Sequence, residues 1–356
     1  MIFFVLILLF LIFNSAKFAE SNKFAADYIS KDKTNAVKGI FVVLILFSHG
    51  KQYMSLEGIY DQAYIMLQNH LDQMVVAMFL FYSGYGIMES IKRKGYDYVK
   101  TIPAKRFPST LLNFDIAIAL YLLVGLLLGN TYDIKTILLS LIGFKSVGNS
   151  NWYMFAIFVL YILTFLSFLC RKWIKNQRAD LLCIIILTAL TIGMVFVEMK
   201  VGMQAYWYNT LILFALGFYY SYFKETIEKV VMKNDITYFL ILLITVCVYI
   251  VSYSFRRDLG IEVYTVWAIA FTLLTVILTM KISIENPLLK WLGQHVFSIY
   301  ILQRIPMSVL AHYQLAQTHK YVFLIVSITA TLFLATVFDY FTAKLSKVIW
   351  KERKSA

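Results

Sequence analysis

The sequence has few charged residues and no long polar stretch. Only 15% of its 356 residues are Asp, Glu, Lys or Arg, whereas 60% are hydrophobic and the mean hydropathy is +0.72. Soluble domains carry about a quarter charged residues, so this composition argues against a soluble protein. Apolar runs of about 20 residues recur along the chain, and they predict a polytopic membrane protein instead.

Proline and cysteine are also scarce. Of Pro103, Pro108, Pro287 and Pro306, only Pro306 lies in the interior of an apolar run, which argues against the paired broken helices of inverted-repeat transporters. The three cysteines lie in or beside apolar segments without the spacing of a metal site. The chain has no HExxH, phosphate-binding glycine loop, GxSxG or CxxC motif, and we expect no bound metal.

The apolar runs predict an all-α bundle of ten or eleven transmembrane helices. The ten best-supported spans are residues 36–53, 72–91, 107–128, 151–170, 180–198, 205–223, 235–254, 262–281, 291–312 and 321–343. The run 1–13 is short for a span and lacks the basic region of a signal peptide. For this run we favour a helix that crosses from outside to inside over a cleaved or interfacial segment.

Basic residues concentrate in alternate loops. If Lys38 faces the cytoplasm, 25 of the 33 Lys and Arg residues fall on that side, which agrees with the positive-inside rule and predicts a cytoplasmic C-terminus. The net charge of +13 then indicates anionic lipid rather than nucleic acid as the partner. We predict an N-terminal hydrophobic segment and linker (1–33), a membrane domain (34–345) and a basic cytoplasmic tail (346–356) in the plasma membrane.

A lysine and a histidine lie eleven positions apart on one apolar helix. Eleven helical steps turn the chain by about 1,100°, roughly 20° past three full turns, and advance it about 16 Å. Lys38 and His49 therefore share a face, with Lys38 near a membrane surface and His49 well inside. Ionisable groups are costly within a membrane, so the pair is a candidate functional site. The alternative is a membrane-edge lysine and a packed histidine.

Three further segments combine apolar and polar residues. The aromatic segment 78–86 contains small residues that allow another backbone or a ligand to come close. The basic segment 92–106 suits either anionic lipid or a phosphate-bearing ligand. Near the end, Gln303 and Arg304 are polar at membrane depth, and Tyr300 lies one turn away.

The order of these segments resembles the acyltransferase-3 family of membrane proteins, which acylate cell-envelope sugars and some small molecules. The family carries Arg, ten residues and His on its first helix. This helix is followed by an FFxxSGY helix, a basic segment near a proline, a WY or WF at the start of a middle helix, and a late LGxxSxxIYLxH segment. The similar segments here are Lys38 with His49, Phe79–Tyr85, Lys105–Pro108, Trp152–Tyr153 and Leu292–Gln303.

Three positions depart from the family pattern. Lys38 replaces arginine, which keeps the charge but loses the bidentate fork. The basic segment lacks an Arg-x-x-Arg spacing, because Ile102 and Lys105 occupy those positions. Gln303 stands where the late motif often has histidine, so either that position is not the essential base or the chain belongs to a divergent branch.

The resemblance implies an integral membrane O-acyltransferase whose donor is cytoplasmic acyl-CoA, most often acetyl-CoA, and whose acceptor is a cell-envelope carbohydrate. His49 would be the general base or a transient acyl carrier, and imidazole suits either role. Lys38, Lys105 and Arg106 would bind the anionic part of the donor. The expected pocket residues are Ser83, Tyr85, Asn151, Trp152, Tyr300 and Gln303.

Two other functions remain open from the sequence. The chain could transport a lipid-linked glycan or a small molecule, with His49 as a gating or proton-coupled group. It could also be a non-catalytic subunit of an envelope-polymer assembly. The rarity of broken helices and the ordered motifs favour the enzyme.

The charge bias predicts the orientation of the chain. In a variant without its native cysteines, a cysteine in the 92–106 segment should resist an impermeant thiol reagent in intact cells. A cysteine in the 130–148 segment should react with it, because that loop carries few basic residues. The reverse labelling pattern would contradict the orientation and remove the case for a cytoplasmic donor at Lys38.

Overall fold

Nearly every apolar run is helical in the structure, a computed structural model that describes residues 1–71, 73–174 and 178–352. The helices begin with α1 (Ile2–Phe13), α2 (Lys31–Lys51), α3 (Gln62–Leu71), α4 (Met74–Lys94), α5 (Tyr96–Val99), α6 (Phe107–Leu127), α7 (Ile134–Leu141), α8 (Trp152–Ser167) and α9 (Arg178–Lys200). They continue with α10 (Ile212–Tyr222), α11 (Lys224–Val231), α12 (Asp235–Phe255), α13 (Gly260–Lys281), α14 (Pro287–Gln294), α15 (Val296–Leu302), α16 (Arg304–His312), α17 (Leu315–Thr318) and α18 (Lys320–Glu352).

The fold is an all-α polytopic membrane bundle, as the composition predicts. Within the described ranges, six helices are long and apolar enough to cross a membrane. These are Met74–Lys94, Tyr96–Leu127, Ala179–Lys200, Asp235–Phe255, Gly260–Lys281 and Lys320–Ile349. The other predicted spans are helical but shorter, interrupted or richer in charge, so the count of ten or eleven stays a prediction. Of the predicted tail, residues 346–352 continue α18 and residues 353–356 lie outside the described part.

The predicted span 291–312 is not one helix, which corrects the expectation from hydropathy. It is divided at His295 and Gln303 into α14, α15 and α16. Pro306 accounts for the second division: it has no N–H to donate to the carbonyl of Leu302 four residues earlier. The predicted span 205–223 is likewise reduced to the eleven residues of α10.

A short antiparallel strand pair, which the sequence did not predict, joins two loops at the Lys38 end of the bundle. Strand β1 (Ala16–Phe18) pairs with β2 (Ile282–Ile284). Glu285, just after β2, accepts hydrogen bonds from Lys17 at 2.7 Å and Lys33 at 2.8 Å. These two bonds lower the pKa of Glu285 to about 2. The pair thus connects the segment after α1 to the segment that leads into α14.

Helices α2 and α14 meet at two glycines with their backbones in contact. A Cβ at Gly39 would lie 1.9 Å from the carbonyl oxygen of Leu289, and a Cβ at Gly293 would lie 1.9 Å from that of Asn35. Any side chain at either position would therefore force the helices apart. Small residues of this kind are the usual means of close helix packing in membranes.

A second glycine contact explains the glycine of the 79–85 segment. A Cβ at Gly84 of α4 would lie 2.0 Å from the carbonyl oxygen of Phe214 on α10. In the opposite direction, a Cβ at Gly217 would lie 2.2 Å from the carbonyl oxygen of Phe81. Gly84 therefore packs α4 against α10 rather than lining a cavity.

The contact at Gly84 predicts a difference between two glycines on one helix. Gly84→Ala should lower the apparent melting temperature of the purified protein, because overpacking of this kind costs about 1–3 kcal/mol. Gly86→Ala is the matched control, since a Cβ there meets nothing within 4 Å. Thermal unfolding in detergent or nanodiscs measures both. Equal melting temperatures for the two variants would contradict the backbone contact.

Candidate active site around His49

Lys38 and His49 lie on one face of α2, which is a continuous helix between them. The residues of this face are Lys38, Phe41, Ile45 and His49, at the spacing that lines up one side of a helix. The helical rise places His49 about 16 Å from Lys38 along the axis. Lys38 and His49 therefore mark the two ends of a stripe that is apolar between them.

The imidazole of His49 opens onto a polar cavity of about 480 Å³. Its Nε2 lies 3.4 Å from Oγ of Ser150, in the turn before α8. The expected pocket residues Asn151 and Trp152 line the same cavity. Further polar lining comes from Gln52, Gln73, Ser146, Asn149, Tyr206 and Arg304.

Arg304 forms hydrogen bonds to residues from separate parts of the chain around the cavity. Its Nε donates to Oγ of Ser150 at 2.7 Å, its Nη2 donates to Oε1 of Gln52, and its Nη1 lies 3.5 Å from the hydroxyl of Tyr53. The planar guanidinium can bridge these groups because its donors point in fixed, divergent directions. The first residue of α16 is thereby connected to the end of α2 and to the turn before α8.

A narrow apolar pocket of about 90 Å³ adjoins the polar cavity. The two spaces share Ile45 and Val76 as lining residues. The ring of Tyr300, which lines the apolar pocket, lies 6.3 Å from the ring of His49 and 5.3 Å from that of Tyr153. The two spaces therefore meet at Ile45 and Val76, and His49 lies in the polar space one helical turn from Ile45.

The apolar pocket extends along α4 towards Lys38. Val76 and Phe79 line it, and Tyr82 follows on the same face of this helix. The Nζ of Lys38 lies 5.4 Å from the centre of the Tyr82 ring. Among the residues that the structure describes, no carboxylate forms a salt bridge with Lys38.

Arg106 lies at the same end of the bundle as Lys38. Its guanidinium stacks on the ring of Tyr161 at 4.9 Å, and its Nη1 donates to the hydroxyl of Tyr98 at 2.6 Å. Tyr161 is about two turns, or roughly 12 Å, along α8 from Tyr153 in the apolar pocket. Lys38 and Arg106 are therefore both displaced from His49 in the direction of the apolar pocket.

Six of the predicted site residues line neither space: Lys38, Arg106, Gln303, Lys105, Ser83 and Tyr85. Lys105 is exposed, and Ser83 is half-buried on α4. Tyr85 packs against Phe81 and, at 6.2 Å between ring centres, against Tyr220. Among the described residues, Lys105, Ser83 and Tyr85 form no side-chain hydrogen bond or ring contact with the residues that line the two spaces.

Gln303, one of the predicted pocket residues, is fully buried beside the His49 ring.

Two further residues of the site do not belong to the predicted set. Ser150 and Arg304 were not predicted as site residues. Arg304 had a sequence signal, since it is a charge at membrane depth. Ser150 had none, because a serine in a turn before a helix is ordinary.

The fold and this site define a multi-pass membrane protein with a polar cavity lined by a histidine. A family model described as an acyltransferase domain matches residues 32–340. The chain belongs to the acyltransferase-3 family, as its ordered motifs predict, and is a membrane acyltransferase. Comparisons with curated proteins and with solved structures give no match.

Proposed function

We propose that this protein is a plasma-membrane O-acyltransferase that moves an acyl group, most simply acetyl, from cytoplasmic acyl-CoA to a hydroxyl of a cell-envelope carbohydrate. The observation that carries the proposal is the position of His49 in the polar cavity, one helical turn from Ile45, which also lines the apolar pocket. The family match supports acyl transfer as the reaction class. The donor, the acceptor and the role of His49 are the parts that we add.

The polar cavity suits a sugar acceptor. Its side chains offer amide and hydroxyl groups, and the rings of Trp152 and Tyr206, 6.1 Å apart, form part of its wall. No Asp or Glu occurs among its described lining residues, so neutral hydrogen bonds and one arginine determine what binds. A few directional polar groups beside aromatic faces are typical of small-ligand sites.

The opposite end of the stripe suits the donor. The narrow apolar pocket can take a short acyl group, which carries no charge. Lys38 and Arg106 then lie on the side where the phosphates of acyl-CoA remain. Lys105 is exposed near the start of α6, so any contact with the donor occurs at the surface.

The chemistry requires one proton acceptor between the two substrates. Nε2 of His49 takes the proton of the acceptor hydroxyl while that oxygen attacks the thioester carbonyl carbon. The C–S bond breaks, and the leaving thiolate receives the proton from the imidazolium. Alternatively, Nε2 attacks the carbonyl first, and the C–S bond breaks to release the thiolate. The acceptor oxygen then displaces the imidazole as the C–N bond breaks, and the hydroxyl proton passes to the thiolate. In either case the positive charge of Arg304 favours the negative oxygen that forms on the carbonyl.

Replacement of His49 tests this role. His49→Gln should lower turnover of radiolabelled acetyl-CoA by at least about 100-fold, because glutamine cannot act as a base at neutral pH. The assay measures label transferred to a cell-envelope carbohydrate fraction and label released by hydrolysis. His312→Gln is the matched control, since His312 is exposed at the end of α16.

Two outcomes would contradict the assignment. Turnover within a few-fold of the wild type in His49→Gln would remove the catalytic role of His49. No turnover by the wild type with any acyl-CoA, together with glycan flux in vesicles, would favour the transporter.

Replacement of Lys38 tests the donor site. Lys38→Ala should raise the KM for acyl-CoA at least about tenfold with little change in the KM for the acceptor, because a charge that binds phosphate is lost. Lys38→Arg should retain activity. Lys31→Ala is the control on the same helix, because Lys31 is exposed in the first turn of α2. An unchanged KM for acyl-CoA in Lys38→Ala would reduce Lys38 to a membrane-edge residue.

A further inference from the structure

The hydroxyl of Ser150 lies between Arg304 and His49 and can donate its proton to His49. Nε of Arg304 can only donate, so Oγ of Ser150 must accept the bond of 2.7 Å between them. The hydroxyl hydrogen of Ser150 is then free to point at Nε2 of His49, 3.4 Å away. In this arrangement Nε2 is the acceptor, and neutral His49 carries its proton on Nδ1.

A second group with a fixed orientation, Gln303, also lies beside the imidazole of His49. Gln303 is fully buried, and its Nε2 donates to the backbone carbonyl of Tyr300 at 3.1 Å. A carbonyl oxygen can only accept, so this bond establishes which end of the Gln303 amide is nitrogen. Nδ1 of His49 and Oε1 of Gln303 are both buried and both lack a hydrogen-bond partner among the described residues.

We propose that Gln303 is a positioning residue, whose Oε1 accepts the Nδ1–H of neutral His49 and so directs the Nε2 lone pair into the polar cavity. The Gln303 side chain lies beside the His49 ring, so the bond would be made between neighbouring side chains. The bond would satisfy a buried donor and a buried acceptor at once.

The catalytic consequence rests on the proposed function, whereas the tautomer is a property of the resting protein. With the proton on Nε2, His49 would present a donor to the acceptor hydroxyl and could not remove its proton. With the proton on Nδ1, the lone pair faces the space where the hydroxyl binds. Orienting the base through its second nitrogen is the role that carboxylates have in other histidine-dependent enzymes.

Two charged or titratable side chains face the imidazole of His49 within the described part of the chain. They are Arg304 of α16 and Tyr300 of α15. The neighbours on α4 and in the turn before α8 are Val76 and Ser150, which do not titrate near neutral pH. Arginine and tyrosine both titrate well above neutral pH. A shift of the acidic limb of the pH–rate profile that follows substitution of Gln303 is therefore assigned to His49.

The direct test is the nitrogen spectrum of His49 in the wild-type protein. Protein labelled with ¹⁵N-histidine is reconstituted in lipid bilayers, and His49→Gln identifies the signals of His49 by their loss. The proposal expects a protonated Nδ1 and an unprotonated Nε2 in the neutral ring. A neutral ring protonated at Nε2 would overturn it. This readout needs no substrate, so it can fail or succeed independently of acyl transfer.

Two substitutions of Gln303 then separate positioning from packing. Gln303→Met keeps the size of the side chain but removes the acceptor, and we expect a mixed tautomer spectrum, a kcat at least about tenfold lower and an unchanged KM for acyl-CoA. Gln303→Glu keeps an acceptor, and we expect the Nδ1-protonated ring to persist. Its carboxylate favours the imidazolium, so the acidic limb of the pH–rate profile should move to higher pH.

Gln317→Met, at an exposed position of α17, is the control for the substitution itself. A wild-type tautomer and a wild-type kcat in Gln303→Met would show that Gln303 only packs, and would overturn the proposal. If the wild type turns over no acyl-CoA but its spectrum shows Nδ1 protonation that depends on Gln303, the tautomer assignment stands and the proposed function fails.

Discussion

The backbone contact between α2 and α14 is the constraint on which the site depends. Gly39 and Gly293 each face a carbonyl oxygen at a distance that leaves no room for a side chain. The chain runs directly from α14 into α15 and α16, which carry Tyr300, Gln303 and Arg304. The position of these residues relative to His49 on α2 is therefore set by how closely the two helices approach. Gly293, the glycine of the late LG motif, therefore affects the site through helix packing.

The division of the late span gives the site its polar groups at membrane depth. A continuous helix in a membrane satisfies its own backbone and has no need of polar side chains. Where α15 ends, Gln303 donates to the carbonyl of Tyr300, and Arg304 reaches across to Ser150 and Gln52. These bonds satisfy polar groups that would otherwise be buried without partners. The same bonds orient the groups around His49. The break in the helix therefore also places the polar side chains of the site.

The two spaces around His49 differ in the physical character of their walls. One is lined by amides, hydroxyls and an arginine, and the other by aliphatic and aromatic side chains. In the proposed reaction the acceptor and the donor approach from these separate spaces, and only the acyl group passes between them. The cations at the far end, Lys38 and Arg106, are half-buried against the rings of Tyr82 and Tyr161.

The sequence by itself determined the class of fold, the shared face of Lys38 and His49, and the family, because composition and helical period are local properties. It did not predict the β1–β2 pair, since three-residue strands carry no periodic signal, and it did not predict the division of the span 291–312. Only the tertiary structure decided that Ser150 lies beside His49, 101 positions away, and that Arg304 bonds to Ser150, 154 positions away. Such contacts depend on which helix faces meet and how closely, and no local pattern in a single chain records that.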